Sequence, residues 1–370
     1  MQLKDGRRYP AFPSRKAETP EEYLQAALLG ESYVRSHLED TADGLYFSQD
    51  SVPNDTLYSG GAGILHMYIQ LYQIHPDPVY RQIIHSLTAH LSAHYPDTLT
   101  RAEQAGDLAR TQARAFYTGI AGIGAVLLEA LRLFREPSAE HAVNEITQFC
   151  RESAVRTADG IYWTDNSVIY ADAGVILFLA DVWEMFPAPG LQELIQSAAG
   201  YILRKAIPHP EGGMEFDNLQ IDFKHKEPNF EFGTAGVGYL FAVLYQIFGN
   251  ETYLDAAESC AVYVRSLGVK QGKGLLIPYK LTWTEDLFYL GNCHGPVGTI
   301  KLYYELYRIT GKQVYYDMIQ ELHSGAASLG APLIQSPGFW NTRYRRRRQM
   351  LLSCLTAGIL RLTCLPFTAE

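Results

Sequence analysis

No stretch of the chain approaches the roughly 18 uninterrupted apolar residues that a membrane span needs, so no transmembrane helix is expected. Cysteine is scarce. Five residues, Cys150, Cys260, Cys293, Cys354 and Cys364, are too few, too scattered and the wrong parity for the disulfide framework of a secreted module. The opening segment, MQLKDGRRYPAFPSRKAETPEE, lacks the apolar core of a signal peptide. A soluble cytoplasmic protein is expected, with thiols left to react or to bind metal. Positive charge is also short, since 31 Lys and Arg stand against 40 Asp and Glu for a net charge of −9. That balance argues against nucleic acid or an anionic membrane as the main partner. P-loop, dinucleotide-binding, nucleophile-elbow, His-Glu-x-x-His and EF-hand patterns are absent. What the chain has is apolar and aromatic mass: 47% apolar residues, 25 Tyr and 16 Phe, enough to close a large core. Its 370 residues suggest about two domains unless a repeat sets the length.

A repeat is present in the glycines. YSGGAGIL, YTGIAGIG, YADAGVIL, FGTAGVGY and CHGPVGTI align at Gly60, Gly119, Ala171, Gly233 and Gly295, at intervals of 59, 52, 62 and 62 residues. Each is followed by a stretch apolar around most of its circumference, such as AVLLEALRLF or YLFAVLYQIFG, which reads as a helix buried on most sides. Between them lie stretches with apolar residues at three- and four-residue spacing, at 21–38, 78–95, 140–155, 191–207, 252–268 and 313–330, which read as outer helices. A second signature recurs in the connections, at Gly44-Leu-Tyr-Phe, Gly160-Ile-Tyr-Trp, Gly213-Met-Glu-Phe and Gly274-Leu-Leu-Ile, and predicts minor strands near one end. The expected fold is all-α: a toroid of helical hairpins with inner and outer rings. The glycine turns would line one mouth, where converging helix N-termini favour anions and thiolates.

At Leu290-Gly-Asn-Cys293-His294-Gly295-Pro-Val-Gly298, with Gly338-Phe-Trp340-Asn341 downstream, the sequence resembles the lanthionine synthetase C-like family, over about residues 20–340. The resemblance implies an α/α toroid, of seven hairpins in the family and six here with the last incomplete. It implies one Zn2+ held by Cys, Cys and His at the mouth. The implied reaction is peptide cyclisation: a substrate cysteine thiolate, acidified by zinc, adds to a dehydroalanine or dehydrobutyrine to give a thioether. The implied partners are a peptide carrying Cys and dehydroamino acids, and a dehydratase. Residues 1–18 read as an extension, 19–340 as the toroid and 341–370 as a divergent basic tail.

On this resemblance Cys293 falls on the first zinc ligand, at the start of the fifth inner helix, where a thiolate is a suitable soft donor. His294 reads as a mouth-lining residue or proton donor. The remaining ligands belong to a sixth turn. Here Trp340 is followed by RYRRRRQMLL and then Ser353-Cys354-Leu355-Thr-Ala-Gly358, an overlay that makes Cys354 the second metal candidate but puts Leu355 where a turn glycine is needed. Either an insertion displaced a degenerate sixth turn, or the tail beyond about Arg343 is unrelated, as after a change of reading frame. In the fourth turn relatives carry His as candidate acid/base, whereas this chain has Phe232. Glu231 and His225 are neighbouring substitutes, each more simply read as a surface residue. In the third turn, Asp165 and Asp172 could face the mouth as catalytic groups, Asp172 having the simpler role of capping its helix. Tyr58, Tyr117 and Tyr170 read as core and rim packing.

Three functions follow: a zinc-dependent thioether-forming enzyme, a non-catalytic peptide- or thiol-binding module or inactive paralogue, and a carbohydrate-active toroid. The last needs paired carboxylates in the mouth, for which Asp165, Asp172, Glu231 and Glu285 are candidates.

Overall fold

A computed structural model describes residues 19–47, 54–216, 226–281 and 288–328. These form an α/α toroid. The inner helices are α2 (Gly61–Ile74), α5 (Ile120–Phe134), α7 (Asp172–Met185), α9 (Thr234–Phe248) and α11 (Pro296–Thr310). The outer helices are α1 (Pro20–Arg35), α3 (Pro78–Ala105), α6 (Pro137–Glu152), α8 (Pro189–Arg204), α10 (Glu251–Ser266) and α12 (Gln313–Ser328), and a short α4 (Asp107–Ala113) follows α3. Inner helices pack on one another in chain order, from α2 to α5, α7, α9 and α11, and each also packs on the outer helix that follows it. No described helix is long and apolar enough to cross a membrane.

The rings arise from sequence in a simple way. Each inner helix is apolar almost throughout, so it is stable only when enclosed, and Leu65, Ile123, Ile176, Phe241 and Leu302 are fully buried. Outer helices bury one stripe, as Leu191, Leu194, Ile195, Ala198 and Ile202 do in α8. Two- or three-residue links turn each inner helix back into its outer partner. Gly249 and Gly311 end α9 and α11 in the left-handed conformation, and Arg135 does the same work after α5 without being glycine. Asp77 and Asn250 cap the outer helices α3 and α10 through Val79 N and Thr252 N.

The long links run from outer to inner helix and carry the predicted strands as antiparallel hairpins: β1 (Leu38–Thr41) with β2 (Gly44–Phe47), β3 (Val155–Thr157) with β4 (Gly160–Tyr162), β5 (Ile207–Pro208) with β6 (Met214–Glu215), and β7 (Val269–Gln271) with β8 (Gly274–Leu276). Each is pressed onto the following outer helix. At Gly44, with φ +129°, a Cβ would lie 2.2 Å from Ser86 O of α3, so no side chain fits.

One helix differs from expectation. The outer stretch 78–95 continues through Pro96 to Ala105, at the cost of one backbone hydrogen bond. Burial of Thr98 and Ala102 beyond the proline holds the extra turns.

Candidate functional site

The glycine turns are tied to one another by a backbone ladder. Tyr58 N donates to Tyr117 O at 2.9 Å, Tyr117 N to Tyr170 O at 3.1 Å, Tyr170 N to Glu231 O at 2.9 Å, and Glu231 N to Cys293 O at 3.1 Å. One residue per repeat is thereby brought to the same mouth: Tyr58, Tyr117, Tyr170, Glu231 and Cys293. The ladder also accounts for one residue of the short interval of 52. The third turn has one residue fewer between its ladder position, Tyr170, and its helix start, Asp172, than the second has between Tyr117 and Ile120.

The tyrosines pack as expected and do more. Tyr117 stacks on Tyr170 at 5.9 Å with Tyr58 edge-on to both, Tyr170 stacks on Phe232 at 4.6 Å, and Phe232 stacks on His294 at 4.9 Å. Tyr279 meets the His294 ring edge-on at 4.6 Å. His294 is thus clamped. Its Nδ1 lies 2.7 Å from Oε2 of Glu227, whose side chain is 2% exposed. Glu227 carried no sequence signal. It lies 67 residues from His294 and meets it only because neighbouring repeats stand side by side.

Beneath Cys293 lies a polar floor. Glu231, expected at the surface, is 3% exposed, because its ladder position points inward. Its Oε1 accepts from Asn292 Nδ2 at 2.7 Å, while Oε2 has no hydrogen-bond partner. Tyr117 approaches this carboxylate and the Asn292 amide. Burial, then the negative charge of Glu231 and Cys293, pushes its hydroxyl well above the ordinary tyrosine value. Lys301, on the bore side of α11, sits over the Phe230 ring at 4.7 Å. Burial lowers its ammonium pKa, opposed by the charges of Glu231 and Cys293.

The other candidates are placed elsewhere. Asp165, at φ +65°, accepts from Tyr201 Oη at 2.6 Å and pairs with Lys205 Nζ, so it faces the end of outer helix α8. Asp172 starts α7 without capping it. Its carboxylate accepts from Thr164 N at 2.9 Å, Thr164 Oγ1 at 2.7 Å and Trp163 N at 3.3 Å, binding the end of the β3–β4 link to the inner helix. Burial pushes its pKa up to about 6. Of the predicted residues, Cys293, His294 and Glu231 are brought together. Cys354, His225, Glu285 and the basic tail lie outside the described residues.

A thiolate-bound zinc needs three protein donors and an open position. Among the described residues no three His, Cys, Asp or Glu side chains are arranged to hold a metal. Cys293 is one suitable donor; Cys150 and Cys260 are buried, their thiols pushed up, to about 12 at Cys150, by burial. The described residues alone therefore do not make a zinc site.

Comparison with known proteins gives one sequence match. The family described as "Lanthionine synthetase C-like protein" matches residues 51–339. No curated protein matches. Among solved structures, nisin cyclase superposes with a TM-score of 0.57 and 15% identity, covering 93% of this chain and 92% of its own. An inactive variant of an α-1,6-mannanase from Salegentibacter sp., in complex with α-1,6-mannotriose, gives 0.61 and 15%, covering 92% and 99%. Cellobiose 2-epimerase from Bacillus thermoamylovorans gives 0.59 and 10%, covering 92% and 100%. At these identities the structural likeness shows the toroid fold alone.

Proposed function

The chain belongs to the lanthionine synthetase C-like family, and on that premise we propose that its mouth binds a cysteine-containing peptide and joins the cysteine sulfur to a dehydroamino acid. The observation that supports this reading is the pairing of Cys293 with a clamped His294 where the turns converge. In the reaction the sulfur bonds to the β-carbon, the π electrons pass to the acyl group as an enolate, and a proton is delivered to the α-carbon. His294 suits that proton transfer. Glu227 engages Nδ1 and the aromatic rings fix the plane, so Nε2 is the atom with which the ring would exchange a proton.

The cofactor of the proposal is one Zn2+, with Cys293 as a ligand, Cys354 as a second, and a third donor also from outside the described residues. The chemistry it would supply is to keep the incoming cysteine as thiolate. The partners of the proposal are the peptide and a dehydratase that prepares it, in a cytoplasmic setting.

A second reading, a peptide- or thiol-binding module without catalysis, is favoured by Phe232, which cannot carry a proton, and by the absence of three converging metal donors among the described residues. Zinc content separates the two. About one zinc per chain, lost in Cys293→Ala, supports the enzyme; no zinc in the wild-type chain supports the binding module. In the carbohydrate-active reading two of the candidate carboxylates are already engaged, Asp165 by Lys205 and Asp172 by Thr164 and Trp163.

A further inference from the structure

Two charged groups at the floor of the mouth are incompletely partnered among the described residues: Glu231, which Asn292 and Tyr117 approach, and Lys301. Glu231 is buried, and its Oε2 accepts no hydrogen bond. Such an atom is destabilising when left dry, so it points to a donor that arrives from elsewhere. Lys301 forms no ion pair and no hydrogen bond among the described residues, and its cation rests on the Phe230 ring. Lys301 lies in the field of both Glu231 and Cys293, yet it does not close into a salt bridge with Glu231. Lys301 lies five residues into α11, about 7.5 Å below its start, and helical side chains lean toward the N-terminus, so its stem rises toward the mouth.

An unpaired acceptor and an unpaired donor facing one space match a group that carries both a donor and an acceptor. We infer that Glu231 and Lys301 form an amide subsite beside Cys293, with Glu231 Oε2 accepting the N–H and Lys301 Nζ donating to the carbonyl oxygen of the same substrate residue. Resting on the function proposed above, that residue is the dehydroamino acid. Addition of the sulfur moves the π electrons onto its carbonyl oxygen, and the Lys301 ammonium stabilises the resulting enolate until the α-carbon takes its proton. Oxygen and nitrogen gain no new covalent bond. An amide is favoured over a carboxylate because a carboxylate would set two anions face to face at Glu231.

Two measurements on the full chain test this without requiring turnover. The first is the ratio of alkylation rates of Cys293 by iodoacetate and iodoacetamide, read by mass spectrometry, in which the thiolate fraction cancels. Lys301→Met should lower the ratio about fivefold and Glu231→Gln raise it by a similar factor, while Lys301→Arg stays near wild type. The second uses wild type alone. A peptide with alanine in place of the dehydroamino acid should protect Cys293 about tenfold better than its depsipeptide, in which an ester oxygen replaces that alanine's N–H. Unchanged ratios in both charge variants, or equal protection by peptide and depsipeptide, would overturn the inference. If both results appear but no thioether forms with any dehydroalanine peptide, the catalytic reading fails and the subsite stands. If thioethers form and neither result appears, the reverse holds.

Discussion

The turn that carries Cys293 depends on one glycine, and the same substitution at two glycines should act with opposite signs. At Gly298, in the first turn of α11, an added Cβ would lie 2.0 Å from Asn292 O and 2.6 Å from Phe230 Cβ. Neither atom is the end of a flexible side chain. Ordinary contact is above 3.3 Å, so Gly298→Ala must push the 292–293 backbone away from the helix by more than about 1 Å, at a cost of about 2–4 kcal/mol. Equivalent carbonyls press on Gly63, Gly122, Gly174 and Gly236, at 2.5, 2.3, 2.3 and 2.0 Å, so the constraint belongs to the repeat. Gly200 lies inside α8, and its Cβ would meet only the Arg204 guanidinium at 3.7 Å. There alanine relieves the entropy cost of helical glycine and should stabilise by about 0.5–1 kcal/mol. At about 2 °C per kcal/mol for a large domain, thermal unfolding should fall by about 4–8 °C in Gly298→Ala and rise by about 1–2 °C in Gly200→Ala. Cys293 alkylation should change only in the first. A Gly298→Ala protein that melts within a degree of wild type, with unaltered Cys293 reactivity, would refute the packing argument.

Other outcomes follow from single groups. Arg135 holds a left-handed conformation that Gly249 and Gly311 supply after other inner helices, so Arg135→Gly should stabilise by up to about 1 kcal/mol in thermal unfolding, and a loss would count against that strain. Asp172 binds its proton more tightly folded, with a pKa of about 6, than unfolded. The native state therefore holds more protons between pH 4 and 6, and stability contributed by Asp172 falls as pH rises through that window and is level above it. Denaturation midpoints of Asp172→Asn should lack that fall; an identical pH profile would contradict the assignment. Glu227→Ala leaves His294 Nδ1 without its carboxylate and should destabilise by about 1–3 kcal/mol, whereas Glu227→Gln should recover part of that loss.

The fold was legible because its determinants are local. A glycine turn, an enclosed helix and a striped helix repeat at nearly constant spacing, and the hairpin strands announce themselves through Gly44, Gly160 and Gly213. The site was half legible. Cys293 and His294 stood in a recognisable turn, but Glu227, Asn292, Tyr117 and Lys301 meet only across neighbouring repeats, and no local pattern marks such contacts. Glu231 was misread as a surface residue because a carboxylate is by default expected in solvent, although Phe230 and Phe232 flank it. Its equivalence to Tyr58, Tyr117, Tyr170 and Cys293 in the ladder was the signal that it faces inward. Asp165 and Asp172 were read as groups that could face the mouth from their closeness to a turn; Asp165 pairs with Lys205 at the end of α8, and Asp172 ties the link after β4 to the start of α7.

The most direct test of the account is thioether formation itself. A peptide bearing one cysteine and one dehydroalanine is incubated with the wild-type chain or with Cys293→Ala, then treated with a thiol alkylator and weighed by mass spectrometry. The account predicts that the wild type removes the alkylatable thiol without changing the peptide mass, and that Cys293→Ala leaves it. A peptide that stays fully alkylatable with the wild type, or is closed equally fast by Cys293→Ala, would contradict the assignment of the chemistry to this mouth.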